Sequence, residues 1–274
     1  MTEPLGQRPV RYTHGHEGAV LASHARRSAE NSCAYLLAVL EPGMRLLDVG
    51  CGPGTITVDL AERLAPGQVV GVEPVEQPLV AARAEAMRRG DTTTRFEIAD
   101  VLDLPYDDDS FDVVHGHQVL QHLSDPVRAL KEMSRVCRPG GWVAARDADY
   151  GAMAWYPEVP ELGEWRTLYR RVARANGAEP DAARHVRAWA REAGLGEVQL
   201  STSVWTYADD EACRWWGDSQ AARVGGATFA QQAGEQGVSA HDVARMATGW
   251  QRWGASPDAW FVVVHGELLA RVER

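Results

Sequence analysis

The chain lacks long apolar runs and closely spaced cysteines. None of its segments approaches the ~20 consecutive apolar residues that a membrane-spanning helix needs. The four cysteines, at positions 33, 51, 137 and 213, form no Cys-x-x-Cys pair, which argues against a zinc ribbon and a disulfide-dense fold. The first residues carry neither the basic start nor the apolar core of a signal peptide. We therefore expect a reduced protein of the cytoplasm without a membrane span.

Basic charge is also scarce. The chain has 28 basic residues against 38 acidic ones, Lys131 is its only lysine, and the formal net charge is −10. Proteins that bind a phosphate backbone carry a basic surface, so this balance argues against a nucleic-acid partner. The 274 residues, 45% of them apolar and 24% charged, are those of an ordinary globular protein that can bury a sizeable core.

The most informative stretch of the chain runs from Arg45 to Leu60. An apolar run at residues 45–49 is followed by glycines at 50, 52 and 54 and then by a helical pattern. The apolar run is typical of a buried parallel strand, and glycines let the next turn bring its N–H groups close to a ligand. The helix that follows offers its free N–H groups and the positive end of its dipole. The pattern predicts a strand, loop and helix that hold a nucleotide.

Two details of this stretch indicate which nucleotide. The dinucleotide fingerprint Gly-x-Gly-x-x-Gly would need glycine at position 55, where the chain has Thr55, and no Gly-Lys-Ser/Thr of a P-loop follows. Asp48 lies two residues before the loop. A carboxylate there would repel a pyrophosphate, whereas it suits a ligand that carries an ammonium group and no phosphate. S-adenosyl-L-methionine (SAM) is such a ligand.

The rest of the first half alternates strands and helices. The pattern predicts strands at 45–49, 68–73, 94–99, 111–116 and 142–147, and helices at 54–65, 76–89 and 125–137. This alternation favours a parallel sheet, whose ligands bind at the carboxyl ends of the strands. Glu73 lies nineteen positions after Gly54, near where an acid binds a ribose diol. Asp100 can accept from an adenine amino group, and His117 lies where the fourth strand ends.

From residue 42 to 150 the chain resembles the class I SAM-dependent methyltransferases, the group that includes the ubiquinone and menaquinone C-methyltransferases. The resemblance is carried by Asp48 to Gly54, Glu73, Ala99-Asp100, Phe111 to Val114 and Arg138 to Gly141. It implies an α/β fold, a Rossmann-like seven-stranded mostly parallel sheet with helices on both faces. The family usually has Asp where this chain has Glu73, which keeps the carboxylate.

The resemblance implies SAM as cofactor and S-adenosyl-L-homocysteine (SAH) as product. The cofactor-binding candidates are Tyr12, Arg27, Asp48, Gly50, Cys51, Gly52, Thr55, Glu73, Pro74, Asp100, Val101, His117, Gln118 and His122. Residues 1–41, with a helical pattern at 19–40, are expected to form an N-terminal lid, in which Arg27 could pair with the methionine carboxylate. Residues 42–150 form the expected cofactor core.

Residues 151–274 are expected to bind the acceptor and complete the sheet. Helical patterns at 160–176 and 181–193 precede strand-like runs at 197–207 and 259–270, with a helical insertion over 208–258 between them. All ten tryptophans lie at position 142 or later. Trp155, Tyr156, Trp215, Trp216 and Arg223 are the candidates for binding an acceptor. Because most tryptophans pack in cores, we expect two or three of the ten to face it.

Methyl transfer from SAM needs alignment of the partners and exclusion of water rather than a fixed set of catalytic groups. Tyr150 and Asp149, at the predicted end of the fifth strand, and His16 are the candidates for orienting or deprotonating the acceptor. The His-x-His pairs at 14–16 and 115–117 lack further ligands at metal spacing, so no metal is expected.

The sequence thus predicts a SAM-dependent methyltransferase, a monomer or homodimer, acting on a small aromatic or heteroaromatic acceptor such as a natural product or an indole, by C- or N-methylation. A C-methyltransferase of quinone biosynthesis is the alternative. A nucleic-acid methyltransferase is disfavoured by the acidic balance and by the absence of an Asn/Asp-Pro-Pro-Tyr/Phe motif after the fourth strand. A non-catalytic SAM-binding protein is disfavoured by the intact loop and its acidic residues.

Overall fold

A computed structural model describes residues 26–273. Its strands are β1 (Arg45–Val49), β2 (Gln68–Glu73), β3 (Arg95–Ile98), β4 (Phe111–His117), β5 (Cys137–Tyr156), β6 (Val198–Tyr207) and β7 (Trp260–Arg271). They form one sheet in the order β3-β2-β1-β4-β5-β7-β6. The first five strands are parallel, and β7 runs antiparallel to β5 and β6. The predicted seven-stranded, mostly parallel sheet is confirmed.

The described residues contain ten α-helices, some of which begin at a capping side chain. They are α1 (Ala29–Ser32), α2 (Ala34–Leu37), α3 (Thr55–Leu64), α4 (Glu76–Arg88), α5 (Pro126–Val136), α6 (Pro160–Ala175), α7 (Val186–Ala193), α8 (Asp210–Gly225), α9 (Ala227–Glu235) and α10 (Ala240–Gly254). At the start of α5, Asp125 accepts from the amide of Arg128 and proline occupies the first turn. No helix between residues 26 and 273 is both long and apolar enough to cross a membrane.

The described part of the N-terminal segment differs from the predicted continuous helix at 19–40. It holds two single-turn helices, α1 and α2, that meet at Cys33, whose φ of −140° is not helical. A continuous helix would offer the Asn31 carbonyl to the amide of residue 35. Instead the indole of Trp205 donates to that carbonyl at 2.8 Å. A tertiary contact from β6 therefore interrupts the helix.

The fifth strand is much longer than the predicted 142–147. It pairs with β7 from Trp142 opposite Arg271 to Tyr156 opposite Trp260, with a register shift between Asp149 and Ala154. The extension places residues 148–156 within the sheet rather than in a loop beyond it. Local sequence does not reveal this, because the partner strand comes more than a hundred residues later in the chain.

Many of the late aromatic side chains form a core between the sheet and helices α6, α8 and α10. Trp250 and Trp253 are fully buried there, and both pack against Phe261 of β7. Trp165 meets Trp250 edge to face, with ring centroids 4.9 Å apart. The predicted insertion, 208–258, contains helices α8, α9 and α10. Helix α8 thereby lies over the β6 and β7 end of the sheet.

Gly163, inside α6, has no heavy atom within 4 Å of the position that a Cβ would take. We expect Gly163→Ala to raise the free energy of unfolding by about 0.5–1 kcal/mol, because alanine loses less backbone entropy in a helix. Gly249 in α10 is the matched contrast, since its Cβ would lie 2.5 Å from the Cβ of Glu161. Urea unfolding should show the two substitutions acting with opposite signs.

Candidate cofactor site and acceptor cavity

The loop after β1 has the geometry of a backbone cradle. Gly50, Gly52 and Gly54 have φ values of 66°, 55° and 79°, in the left-handed region that favours glycine. Gly54 is also the residue before α3, and a Cβ there would lie 3.0 Å from the backbone of Ala82. The loop thus turns tightly and leads directly to the N-terminal amides of α3, which can donate hydrogen bonds to a ligand.

Glu73, at the carboxyl end of β2, is joined to this loop. Its Oε1 accepts from the amide of Gly52 at 2.7 Å. Burial raises the pKa of Glu73 to about 7. The hydrogen bond from Gly52 opposes this rise, and the negative charge of Asp48 adds a smaller increase. The carboxylate therefore lies at the edge of the cradle, where it was predicted to meet a ribose.

Asp48 lies beneath the loop rather than on its surface. Its side chain is buried, Oδ2 accepts from the hydroxyl of Thr57 at 2.6 Å, and Oδ1 pairs with Nδ1 of His115 at 2.8 Å. The carboxylate thus supplies negative charge below the cradle and is already held by two side chains. Its predicted direct contact with the ammonium group of SAM stays a prediction.

The remaining predicted cofactor residues surround the same edge of the sheet. Cys51 and Val101 are buried, Thr55 opens α3, and Pro74 is exposed just after β2. Asp100 is exposed after β3, and its Oδ1 accepts from the amide of Leu102 at 2.9 Å. The parallel strands bring these positions together, although they are far apart in sequence.

At the end of β4 the chain makes a strained turn. Gln118 has a φ of 56°, which a residue other than glycine rarely adopts and which is typical of functional sites. Its Oε1 accepts from the guanidinium of Arg27 at 2.8 Å, and its Nε2 lies 2.9 Å from Nε2 of His265.

Two predicted cofactor residues beside this turn are neutral histidines. Burial keeps the pKa of His117 well below its usual range and lowers the pKa of His122 to about 3.

A cavity of about 500 Å³ lies beside this turn, between the sheet and α8. Its aromatic wall consists of Tyr150, Trp165, Trp205, Tyr207, Trp215 and Trp216. Tyr207 and Trp216 stack with ring centroids 4.4 Å apart and planes 9° from parallel. Four of the ten tryptophans line the cavity, against the two or three expected. Its charged lining consists of Arg26, Arg27, Arg146, Arg223, Glu30 and Glu267.

The floor of the cavity is a buried ion pair that the sequence did not reveal. Arg146 of β5 and Glu267 of β7 are 1% and 6% exposed, with Nε and Oε1 3.3 Å apart. The hydroxyls of Ser201 and Ser203 on β6 also donate to the Glu267 carboxylate. The available signal was weak: Glu267 and His265 interrupt an otherwise apolar final strand.

The structure separates two residues that were predicted to act together. Tyr150 lines the cavity, as do Arg146 and Ala148, whereas Asp149 does not. Because alternate residues of a strand face opposite sides, Asp149 points away, where Arg184 pairs with it at 2.6 Å. Asp149 therefore has no contact with the cavity that would support its predicted role.

The predicted acceptor residues also divide into two groups. Trp215, Trp216 and Arg223 line the cavity. Trp155 instead stacks on Phe261, with centroids 5.8 Å apart, and Tyr156 is 58% exposed at the end of β5. Both were expected beside the cavity because the strand was predicted to stop near residue 147, so the correction follows from the longer β5. The lid candidates Tyr12 and His16 lie outside the described residues.

The strand order and the glycine cradle at the end of β1 define a class I, SAM-dependent methyltransferase fold. A family model described as a methyltransferase domain matches residues 40–202. An uncharacterized methyltransferase of Schizosaccharomyces pombe is 34% identical over 100% of both chains. A 27-O-demethylrifamycin SV methyltransferase of Amycolatopsis mediterranei is 32% identical over 65% of this chain and 70% of its own.

A solved structure shows the same fold. The Haemonchus contortus phosphoethanolamine N-methyltransferase 2, in complex with phosphomonomethylethanolamine and SAH, superimposes with a TM-score of 0.59 at 15% identity, over 95% of this chain and 58% of that one. The chain belongs to the SAM-dependent methyltransferase family, and its cofactor is SAM.

Proposed function

We propose that this methyltransferase transfers the methyl group of SAM to a small aromatic or heteroaromatic metabolite. The observation that carries the proposal is the aromatic wall of the cavity, above all the parallel pair of Tyr207 and Trp216. A volume of about 500 Å³ is in the range of small-molecule sites. Flat rings stack well against such a wall. The wall lies beside Gln118, at the cofactor edge of the sheet, so a stacked acceptor would be next to the cofactor.

SAM brings its own reactivity, a methyl group on a sulfonium, so the protein mainly binds and aligns the partners. In this proposal the loop amides and Glu73 hold the adenosine part, and Arg27 holds the methionine carboxylate. The cavity excludes water around the acceptor.

The proposal also includes the division of the chain into a lid (1–41), a cofactor core (42–150) and an acceptor region (151–274).

Tyr150 is proposed to orient the acceptor rather than deprotonate it. Its ring lies in the cavity wall and stacks on Tyr169, with centroids 4.2 Å apart. Burial raises the pKa of Tyr150, so its hydroxyl stays protonated near neutral pH and can act as a hydrogen-bond donor or acceptor. An acceptor that must lose a proton would need another base or an intrinsically acidic site.

The proposal is tested by incubating the protein with SAM and a panel of phenols, indoles and hydroquinones, together with aliphatic amines and thiols of similar size. We expect SAH to form with one or more aromatic compounds and the product to gain one methyl group by mass spectrometry. Turnover confined to the aliphatic compounds would contradict the aromatic assignment while leaving the methyltransferase activity intact.

Trp215 provides a sharper test of the cavity. We expect Trp215→Ala to raise the KM for the best aromatic acceptor of the panel by about tenfold, the loss of roughly one stacking contact. Binding of SAH, measured by calorimetry, should stay unchanged because Trp215 lies on α8, away from the glycine loop. Trp260→Ala is the matched control, since Trp260 is 41% exposed and does not line the cavity. An equal loss of affinity for the aromatic acceptor and for SAH would contradict the assignment of the cavity to the acceptor.

A further inference from the structure

The charge of the cavity is opposite to the charge of the chain. The protein as a whole has a formal net charge of −10. Within residues 26–273, the cavity lining instead contains four arginines, at positions 26, 27, 146 and 223, and two glutamates, at positions 30 and 267. An excess of positive charge in a partly buried space of an acidic protein attracts an anion more strongly than the same charges would on an open surface.

Both glutamates of the lining are engaged with protein donors. Glu267 accepts from Arg146, Ser201 and Ser203, so its charge is balanced within the floor. The side chain of Glu30 is 69% exposed and pairs with Arg63 of α3 at 3.1 Å. Both carboxylates are thus paired, and among the described lining residues the guanidinium groups still outnumber the carboxylates by four to two.

The excess of positive charge also affects the pKa values of side chains close to these arginines. Burial raises the pKa of Tyr207 to about 12, and all four arginines of the lining oppose that rise. Burial, together with the charges of Arg27 and Arg223, lowers the pKa of His122 to about 3, although His122 itself does not line the cavity. Among the described residues of the lining, the positive charges are therefore the four guanidinium groups.

An aromatic wall of this kind could also attract a cationic acceptor. Here, however, protein cations already lie over two of the rings, those of Trp205 and Trp215. The guanidinium of Arg26 is 4.3 Å from the ring centre of Trp215. Those of Arg27 and Arg146 are 5.4 Å and 5.1 Å from that of Trp205. At Trp205 and Trp215 a cationic ligand would have to compete with these guanidinium groups, and their charge would repel it elsewhere in the cavity. The same charge would attract an anionic substituent on an uncharged ring.

We propose that the aromatic acceptor carries an acidic group, such as a carboxylate, and that Arg223 of α8 binds it. This step rests on the aromatic acceptor proposed above. The four arginines differ in position: Arg146 lies in the floor beside Glu267, Arg27 lies at the cofactor edge beside Gln118, and Arg26 is half exposed near Glu211. Arg223 follows Trp216 and Gln220 at helical spacing along one face of α8, and all three line the cavity. Arg223 is half-buried in the lining, and a guanidinium can hold a carboxylate by two parallel hydrogen bonds.

The test uses three probes with one ring and different charges: indole-3-acetate, indole-3-acetamide and tryptamine. Each is titrated by calorimetry into the full-length protein saturated with SAH. We expect indole-3-acetate to bind about tenfold or more tighter than the amide, the effect of one charge-assisted hydrogen bond, and tryptamine to bind weakest. The advantage of the acetate over the amide should shrink as salt is raised.

Arg223→Gln should remove the advantage of the acetate while leaving the affinities for the amide and for SAH unchanged. Arg214→Gln is the matched control, because Arg214 is an exposed arginine of the same helix that does not line the cavity. If Arg223→Gln does not fold, Arg223→Lys and the ranking of the three probes on the unaltered protein decide the question. Equal binding of acetate and amide, or tightest binding of tryptamine, would overturn the anionic acceptor but keep the aromatic cavity. Binding of none of the three would overturn both.

Discussion

Replacing Glu73 by alanine is expected to weaken SAH binding by about 100-fold. A carboxylate at the end of β2 that receives both hydroxyls of a ribose makes two hydrogen bonds to a charged group, each worth roughly 1.5–3 kcal/mol. Losing them costs at least the ~2.7 kcal/mol that corresponds to 100-fold in affinity. The variant also releases the Gly52 amide that Glu73 now holds at 2.7 Å. Calorimetry with SAH measures the effect, with Glu192→Ala, an exposed acid on α7, as the control.

The pH dependence of SAH binding separates this role from a merely structural one. Burial raises the pKa of Glu73 to about 7, so the ligand-free protein carries the carboxyl partly protonated at neutral pH. Ribose hydroxyls donate to the ionised form. We therefore expect the affinity for SAH to rise as the pH increases from about 6 to about 8, and to be flatter in Glu73→Gln. An affinity that falls over this range in the unaltered protein would contradict the assignment.

The same raised pKa has the opposite consequence for the protein without ligand. Because folding raises the pKa of Glu73 from 4.5 to about 7, the folded state binds this proton more tightly than the unfolded chain. Its stabilising effect is complete below pH 4.5 and is lost as the pH rises through 7. SAH should reverse that loss by binding the ionised form. The increase in Tm on adding SAH is then expected to be larger at pH 8 than at pH 6.

The cofactor half of the molecule could be read from the sequence because its signals are local. Strands β1 and β2 are short, largely apolar runs, and three alternate glycines mark the turn after β1 where the backbone adopts positive φ values. Glu73 and Asp100 then follow from the rule that parallel strands end at one edge of the sheet. The exception is Asp48, whose buried contacts with Thr57 and His115 depend on packing beneath the loop.

The acceptor half was harder to predict because it depends on pairing between distant strands. The long β5 exists because β7 pairs with it along most of its length, and this pairing decides which side chains face the cavity. Once the strand is known to continue, alternation separates Tyr150 from Asp149. The adjacent Trp215 and Trp216 could be chosen from the sequence, whereas Trp205 and Glu267 could not, since each depends on the register of β6 and β7.

The ion pair in the cavity floor should dominate the stability of that half. We expect Arg146→Met to lower the free energy of unfolding by about 3–5 kcal/mol, because it leaves the Glu267 carboxylate buried without its cation. Adding Glu267→Gln to this variant should restore much of the loss, since the amide carries no charge and can still accept from Ser201 or Ser203. Urea unfolding of the two single variants and the double variant gives the coupling energy directly.

The control for this cycle is a salt bridge of the same kind in a different environment. Arg245 and Glu164 form one on the surface, where their side chains are 37% and 43% exposed. Water and salt screen such a pair, so Arg245→Met should lower the free energy of unfolding by less than about 1 kcal/mol. If Arg146→Met lowered the free energy of unfolding by a similarly small amount, water would have to reach the cavity floor. The Arg146–Glu267 pair would then not be a buried ion pair. A large difference between the two variants would show that the floor is dry, as buried charges there require a partner.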